Sequence, residues 1–191
     1  MSNESELKNL VLKNRSYRRY YQEKTISMDT LRELVDMARN TASGANRQPL
    51  RYKLVNEPDQ AEKVFECLAW AGYYKDWPGP VEGEHPSAYI LVITTDGCNA
   101  PWDEGIAAQT LLLGAVEKDL GGCILANIDR VKLAKNMQLP EGYKIDLCIA
   151  LGYPKEKVVL EDVSAESDIK YYRDKDQVQH VPKKRLEEIL L

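Results

Sequence analysis

Arg15, Arg18 and Arg19 fall within five residues of one another, with Ser16 among them. Guanidinium forks beside a hydroxyl match the oxygens of a phosphate. A second cluster, Thr41 to Pro49, carries Asn46 and Gln48. Their amides donate and accept at once, as reading a ring with both carbonyl and N–H groups requires. Each cluster also has a plain reading: a solvated basic turn for the first, turn-forming residues for the second. Trp70, Trp77 and Trp102, with tyrosine pairs at 20/21, 73/74 and 171/172, either stack on a planar ligand or simply pack a core or interface.

Other chemistries find less support. Cys123 sits among apolar residues and reads as a buried structural thiol rather than a nucleophile. Asp103 and Glu104 read as acids drawn to the start of a helix by its dipole, so no catalytic acid, base or nucleophile is assigned. Cys67, Cys98, Cys123 and Cys148 form no C-x-x-C pair, and His85 and His180 are the only histidines, a pattern that disfavours a structural zinc site. No metal is expected. Gly121-Gly122 lacks the third glycine of a dinucleotide fingerprint, and there is no phosphate-cradling G-x-x-x-x-G-K.

The elements that must position these residues follow from periodicity. The chain has 191 residues, 43% apolar and 29% charged, with a net charge of −4. That is one globular domain of ordinary composition, without the basic surplus of a nucleic-acid binder or the low hydrophobicity of a disordered chain. A small-molecule partner is expected. No run of about 20 apolar residues suits a membrane span, no apolar stretch of signal-peptide length opens the chain, and the cysteines read as free thiols, so a cytoplasmic protein is expected.

Leu7, Leu10 and Val11 mark a first helix, and Leu31, Leu34, Val35 and Ala38 mark a second, capped by Ser27. Tyr52 to Val55 begins a strand, and Asp59 with Glu62 resembles the capping box of a third helix. The stretch from Gly72 to Pro86, interrupted by Pro78, Gly79, Pro80 and Gly83, predicts a long irregular excursion. Ala88–Ile93 and Leu147–Leu151 are unbroken apolar runs, as buried central strands require. Between them a helix from Glu104 to Lys118 is apolar nearly all round, ends at Gly121-Gly122, and is followed by a short strand from Cys123 to Leu125 and a helix capped by Asp129. From Lys155 onward little apolar periodicity appears before Leu186, Ile189 and Leu190, so this tail is expected to lie on something else, such as a partner subunit.

Taken in order, Arg15-Ser16-Tyr17-Arg18, Ser43-Gly44-Ala45-Asn46-Arg47-Gln48-Pro49, Gly121-Gly122-Cys123, Ala150-Leu151-Gly152-Tyr153-Pro154 and His180 to Arg185 resemble the FMN-dependent nitroreductase family. The resemblance spans essentially the whole chain. It implies a single α+β domain over 1–191: a central, mostly antiparallel sheet flanked by helices, in an intertwined homodimer whose C-terminal arm, 156–191, packs on the partner, with FMN at the interface. Carried over residue by residue, it assigns Arg15, Ser16 and Arg18 to the phosphate and ring edge. Ser43, Gly44, Asn46 and Gln48 form the turn approaching the flavin, partly from the other subunit, and Leu125, Ala126 and Asn127 form the loop against its ring. Arg173 and Arg185 compete for a late basic contact to the phosphate. The chain departs from the family pattern at Asn14, where an arginine is common, at Leu50, where tryptophan is frequent, and in lacking a Glu-Gly pair in the ring-side loop.

The activity implied is hydride transfer from NADH or NADPH through FMN to a nitroaromatic, quinone or similar small acceptor. The alternatives are a specialised flavin reaction, such as reductive dehalogenation or desaturation, and a dimeric flavin-binding module without turnover.

Overall fold

The computed structural model describes residues 5–191. Its centre is a sheet of four strands, Arg51–Val55 (β1), Ala88–Thr95 (β2), Gly121–Leu125 (β3) and Tyr143–Gly152 (β4). They run in the order β1-β2-β4-β3, and every pairing is antiparallel. The unbroken apolar runs lie on β2 and β4, the two inner strands. Successive side chains of a strand point to opposite faces, so a strand covered on both sides must be apolar at every position. Tyr89, Leu91 and Ile93 join one core cluster while Ile90 and Val92 join the other.

Helices cover both faces. Met28–Arg39 (α2) and Pro101–Glu117 (α4) bury Leu31, Leu34, Leu111 and Leu112 against Ile90, Val92 and Ile149. Pro58–Phe65 (α3) and Arg130–Asn136 (α5) bury Val64 and Leu133 against Leu91, Leu125 and Cys148. Ser27 accepts the Thr30 N–H at 3.1 Å and Asp129 accepts the Lys132 N–H at 3.0 Å, so both expected caps form. Glu6–Lys13 (α1) is the expected first helix, yet it buries no residue, and Leu7, Val11 and Leu12 stay exposed.

Two local expectations need correction. The third helix starts one residue before the proposed capping box: Glu57 precedes it without a side-chain cap, Pro58 opens it, and Asp59 lies inside the first turn. Proline at that position loses no hydrogen bond and brings a helical φ, so it competes well with a capping box. Likewise α4 is ended by Lys118 and Asp119, the latter at φ 57°, while Gly121 and Gly122 belong to β3.

The arm also builds more than expected. Val158–Val163 (β5), Tyr172–Arg173 (β6) and Gln179–Lys184 (β7) make a small sheet, with β5 parallel and β6 antiparallel to β7. This sheet lies on its own chain: Tyr74 Oη donates to Gln179 Oε1 at 2.8 Å, and the Arg173 guanidinium sits 4.4 Å from the Trp77 ring centre. The expected irregular 72–86 excursion is therefore the arm's floor. Periodicity did not reveal this because the arm is anchored by polar and aromatic contacts rather than an apolar stripe. Only beyond Lys184 do Leu186, Ile189 and Leu190 extend exposed.

Candidate functional site

The basic cluster is placed by backbone. After α1, the chain runs along the free edge of β3: Ser16 bridges Gly122, the Tyr17 N–H donates to Gly122 O at 3.0 Å, and the Tyr21 N–H donates to Tyr153 O at 2.9 Å. The glycines permit this approach. A Cβ on Gly121 would stand 2.4 Å from the Tyr17 ring and one on Gly152 2.6 Å from the Tyr20 ring, while one on Gly122 would meet Leu112 Cδ2 at 2.5 Å and the Ala150 carbonyl at 2.6 Å. The Gly-Gly pair thus serves close packing.

This edge segment forms one wall of a cleft of about 310 Å³. Arg15, Ser16 and Arg18 face Lys183 of β7 and Tyr171 of the arm across it, with Gln109 of α4 and Ile124 of β3 also lining it. Among the described residues, no acidic one lines it. Among the described residues, the Arg15 and Arg18 guanidiniums donate to backbone carbonyls, of Val11 at 2.8 Å and of Ser16 at 3.2 Å. Arg15 Nε is buried without a partner, and burial lowers the pKa of that guanidinium. Three cations, a hydroxyl and an orphaned guanidinium N–H around one cleft suit a phosphate, and the exposed Ile124 face suits an apolar ring edge.

The arm is locked to this wall by Glu156, whose side chain is fully buried. It accepts the Arg18 N–H and pairs with Arg173 at 3.1 Å and Arg19 at 3.6 Å. Arg18 also stacks at 4.7 Å on the Tyr171 ring. Arg173 is thus committed to Glu156 and Trp77, and Arg185 is exposed beyond β7. Neither lines the cleft. Lys183, which the sequence reading did not single out, does. It lies on β7, whereas Arg185 follows the end of that strand.

The second cluster forms a separate cleft of about 380 Å³, lined by Ser43, Gln48, Leu50, Tyr52 and Asp103 among others, which shares no residue with the first. Ser43 Oγ accepts the Gln48 N–H at 2.9 Å, Gln48 Nε2 donates to Asn46 Oδ1 at 3.1 Å, and the Gly44 N–H donates to Asp103 at 3.0 Å. The Ser43 hydroxyl bond and this N–H hold the Asp103 carboxyl below its ordinary pKa. Asp103 therefore does more than meet the helix dipole: it ties the turn to α4. Ala45, Asn46 and Gln48 all have φ near +50°, a left-handed backbone that carries strain for non-glycine residues and is found at ligand-binding turns.

The remaining assignments divide. Leu125 points into the core beside Leu91 and Cys148, and its neighbour Ile124 takes the cleft. Strand alternation makes that choice. Ala126 and Asn127 are exposed at the end of β3, where their carbonyls accept from Arg130 and from the Ala69 N–H. Cys123 is buried as expected, and burial pushes its thiol up, away from thiolate character. Among the described residues no helix is long and apolar enough to cross a membrane.

Comparison with known proteins agrees with this arrangement. The model of the nitroreductase family matches residues 11–88 and 96–153. Solved structures of similar fold include a nitroreductase with bound FMN from Bacteroides fragilis, 20% identical with a TM-score of 0.66, covering 86% of this chain and 98% of that one. A nitroreductase family protein from Clostridium novyi is 19% identical with a TM-score of 0.66, covering 79% and 86%. A putative NADH dehydrogenase/NAD(P)H nitroreductase from Parabacteroides distasonis is 20% identical with a TM-score of 0.64, covering 90% and 99%. No curated protein matches the chain. With the antiparallel sheet, the glycine-edged β3 and the cationic cleft in place, the match over most of its length shows that this chain belongs to the nitroreductase family.

Proposed function

We propose that this chain is an FMN-dependent oxidoreductase working as a homodimer. The observation that carries the reading is the cationic cleft of Arg15, Ser16, Arg18 and Lys183, which fits the FMN phosphate. The chemistry supplied by FMN, when bound, is transfer of a hydride from NADH or NADPH to a small acceptor such as a nitroaromatic or quinone.

The residues of this chain bind and orient. Arg15, Arg18 and Lys183 neutralise the phosphate, Ser16 donates to it, and Ile124 shields the ring edge. Asn46 and Gln48 present amides suited to the ring's carbonyl and N–H groups. Because the cleft that Gln48 lines is separate from the cationic one within a chain, the reading brings the two together by pairing two copies. The exposed Leu7 and Val11 of α1 and Trp102 and Ile106 of α4 offer apolar surface for that pairing. Exchange of the arm is then confined to the exposed end, 186–191.

The test is direct. Denaturing the purified protein should release FMN, and adding NADH or NADPH to the native protein should bleach the flavin until an acceptor restores it. A colourless protein that takes up no added FMN overturns the reading, and bleaching without re-oxidation by any acceptor reduces it to a binding module.

A further inference from the structure

Away from the cationic cleft, three groups with metal-ligand chemistry meet where the 72–86 segment crosses α3. Glu62 Oε2 lies 3.1 Å from His85 Nδ1, and one ligand atom from each of Glu62, Glu82 and His85 lies within 4.8 Å of the others. Zinc bonds to nitrogen and oxygen measure about 2.0 to 2.2 Å, so ligand atoms sharing an ion stand roughly 3 to 4 Å apart. Glu82 is exposed, so its carboxylate can close on the pair when an ion binds.

The supporting residues hold this geometry. His85 is buried and its ring stacks on Phe65 at 3.7 Å, which sets the imidazole plane. Gln22 organises the loop that carries the other ligand: its Nε2 donates to Glu82 Oε1 at 3.0 Å, and its Oε1 accepts the N–H groups of Gly83 at 2.7 Å and His85 at 3.1 Å. Such orienting hydrogen bonds are what ligand sets need.

The surroundings of Glu62 and His85 are polar as well. Glu62 and His85 line a small cavity of about 70 Å³ together with Asn56, Ser87 and Tyr89. Each of these last three has a buried oxygen with no hydrogen-bond partner: Asn56 Oδ1, Ser87 Oγ and the Tyr89 hydroxyl, whose residue is wholly buried. Stranding three polar atoms in one cavity is costly. Water held in the cavity would supply their partners beside Glu62 and His85, while Glu82 lies outside its lining.

We propose that Glu62, Glu82 and His85 bind a divalent first-row transition ion, which staples the 72–86 segment to α3. One imidazole and two carboxylates favour zinc or a similar ion over the harder magnesium and calcium. Tyr73, Tyr74 and Trp77 of the same segment carry the arm, so the staple steadies the far wall of the cationic cleft. The inference stands on its own residues and does not depend on the flavin.

Zn2+ titration of the full-length protein by calorimetry, with hydrogen exchange across residues 80–87, tests it. One Zn2+ per chain should bind, slow exchange in that segment, and resist competition by Mg2+ or Ca2+. Glu82→Gln and His85→Ala should each weaken binding by about tenfold or more. His180→Ala, in a separate His-carboxylate cluster, should bind as the wild type does. Glu82 is exposed, so its variant keeps the test valid even if His85→Ala folds poorly. Absence of stoichiometric Zn2+, wild-type affinity in Glu82→Gln, equal competition by Mg2+, or loss of binding in His180→Ala overturns the site.

Discussion

Arg15 and Lys183 enter the cleft from opposite ends of the sequence, and each should contribute a charge-assisted hydrogen bond worth about 1.5 to 3 kcal/mol. Arg15→Ala, Arg18→Ala or Lys183→Ala should therefore weaken FMN binding by roughly one to two decades in a fluorescence titration, whereas Arg185→Ala should leave it unchanged. Arg173→Ala acts differently. It strips a partner from the buried Glu156 and should lower thermal stability as well as flavin retention. Cys123 gives the opposite expectation: a buried thiol with a raised pKa is no nucleophile, so Cys123→Ser should keep FMN and NAD(P)H oxidation within about tenfold, against the 10² to 10⁴ typical for losing an acid–base group. That result would agree with a reaction in which positioning of planar rings supplies most of the catalysis.

At the level of elements, β3 and β7 matter most because the cleft lies between the segment beside one and the end of the other. Gly122→Ala forces a methyl against the Ala150 carbonyl, which is backbone and cannot rotate away. Overpacking of this kind costs about 1 to 3 kcal/mol, and it should also displace Ser16 and Arg15 from β3 and so weaken flavin binding, read as a joint fall in melting temperature and FMN content. On β7, His180 sits between Glu161 at 2.5 Å and Asp174 at 3.2 Å, and hydrogen bonds to both raise its pKa. A histidine whose folded pKa lies above its unfolded value of about 6.5 adds stability below that pH, and the contribution is lost as pH climbs through the folded value. Melting temperatures of the wild type and His180→Ala should therefore differ most near pH 5 to 6 and converge in alkali.

For the whole molecule, the exposed apolar residues include two sets suited to pairing, Leu7, Val11 and Leu12 of α1 with Trp102 and Ile106 of α4, and the terminal Leu186, Ile189, Leu190 and Leu191. Sedimentation should find a dimer at micromolar concentration rather than a 21.7 kDa monomer. Removing 186–191 should loosen that dimer while leaving each subunit folded, since those residues are exposed on their own chain. Removing 156–191 should do more, because it deletes Glu156, Lys183 and the sheet on the 72–86 segment, and flavin should be lost with the arm. A dimer that survives the longer truncation with its FMN would show that the arm is dispensable.

The strands β2 and β4, the helices capped by Ser27 and Asp129, and the identity of the basic and Asn-Gln clusters were legible in the chain because each is written in local chemistry: period, cap or donor set. Which residues share a cleft was not. Lys183 rather than Arg173 or Arg185 faces Arg15 because β7 pairs with β5 and β6 and Glu156 captures Arg173, contacts between residues far apart in sequence. Strand alternation, once β3 is paired with β4, sends Leu125 inward and Ile124 to the cleft. The expectation of no metal rested on cysteine and histidine spacing, whereas the proposed ligand set adds carboxylates from α3 and from the 72–86 segment that local spacing does not bring together. Local sequence determined the elements and the chemical repertoire. The tertiary structure alone decided its grouping, because burial, pairing and long-range ion pairs choose which side chains remain free to meet a ligand.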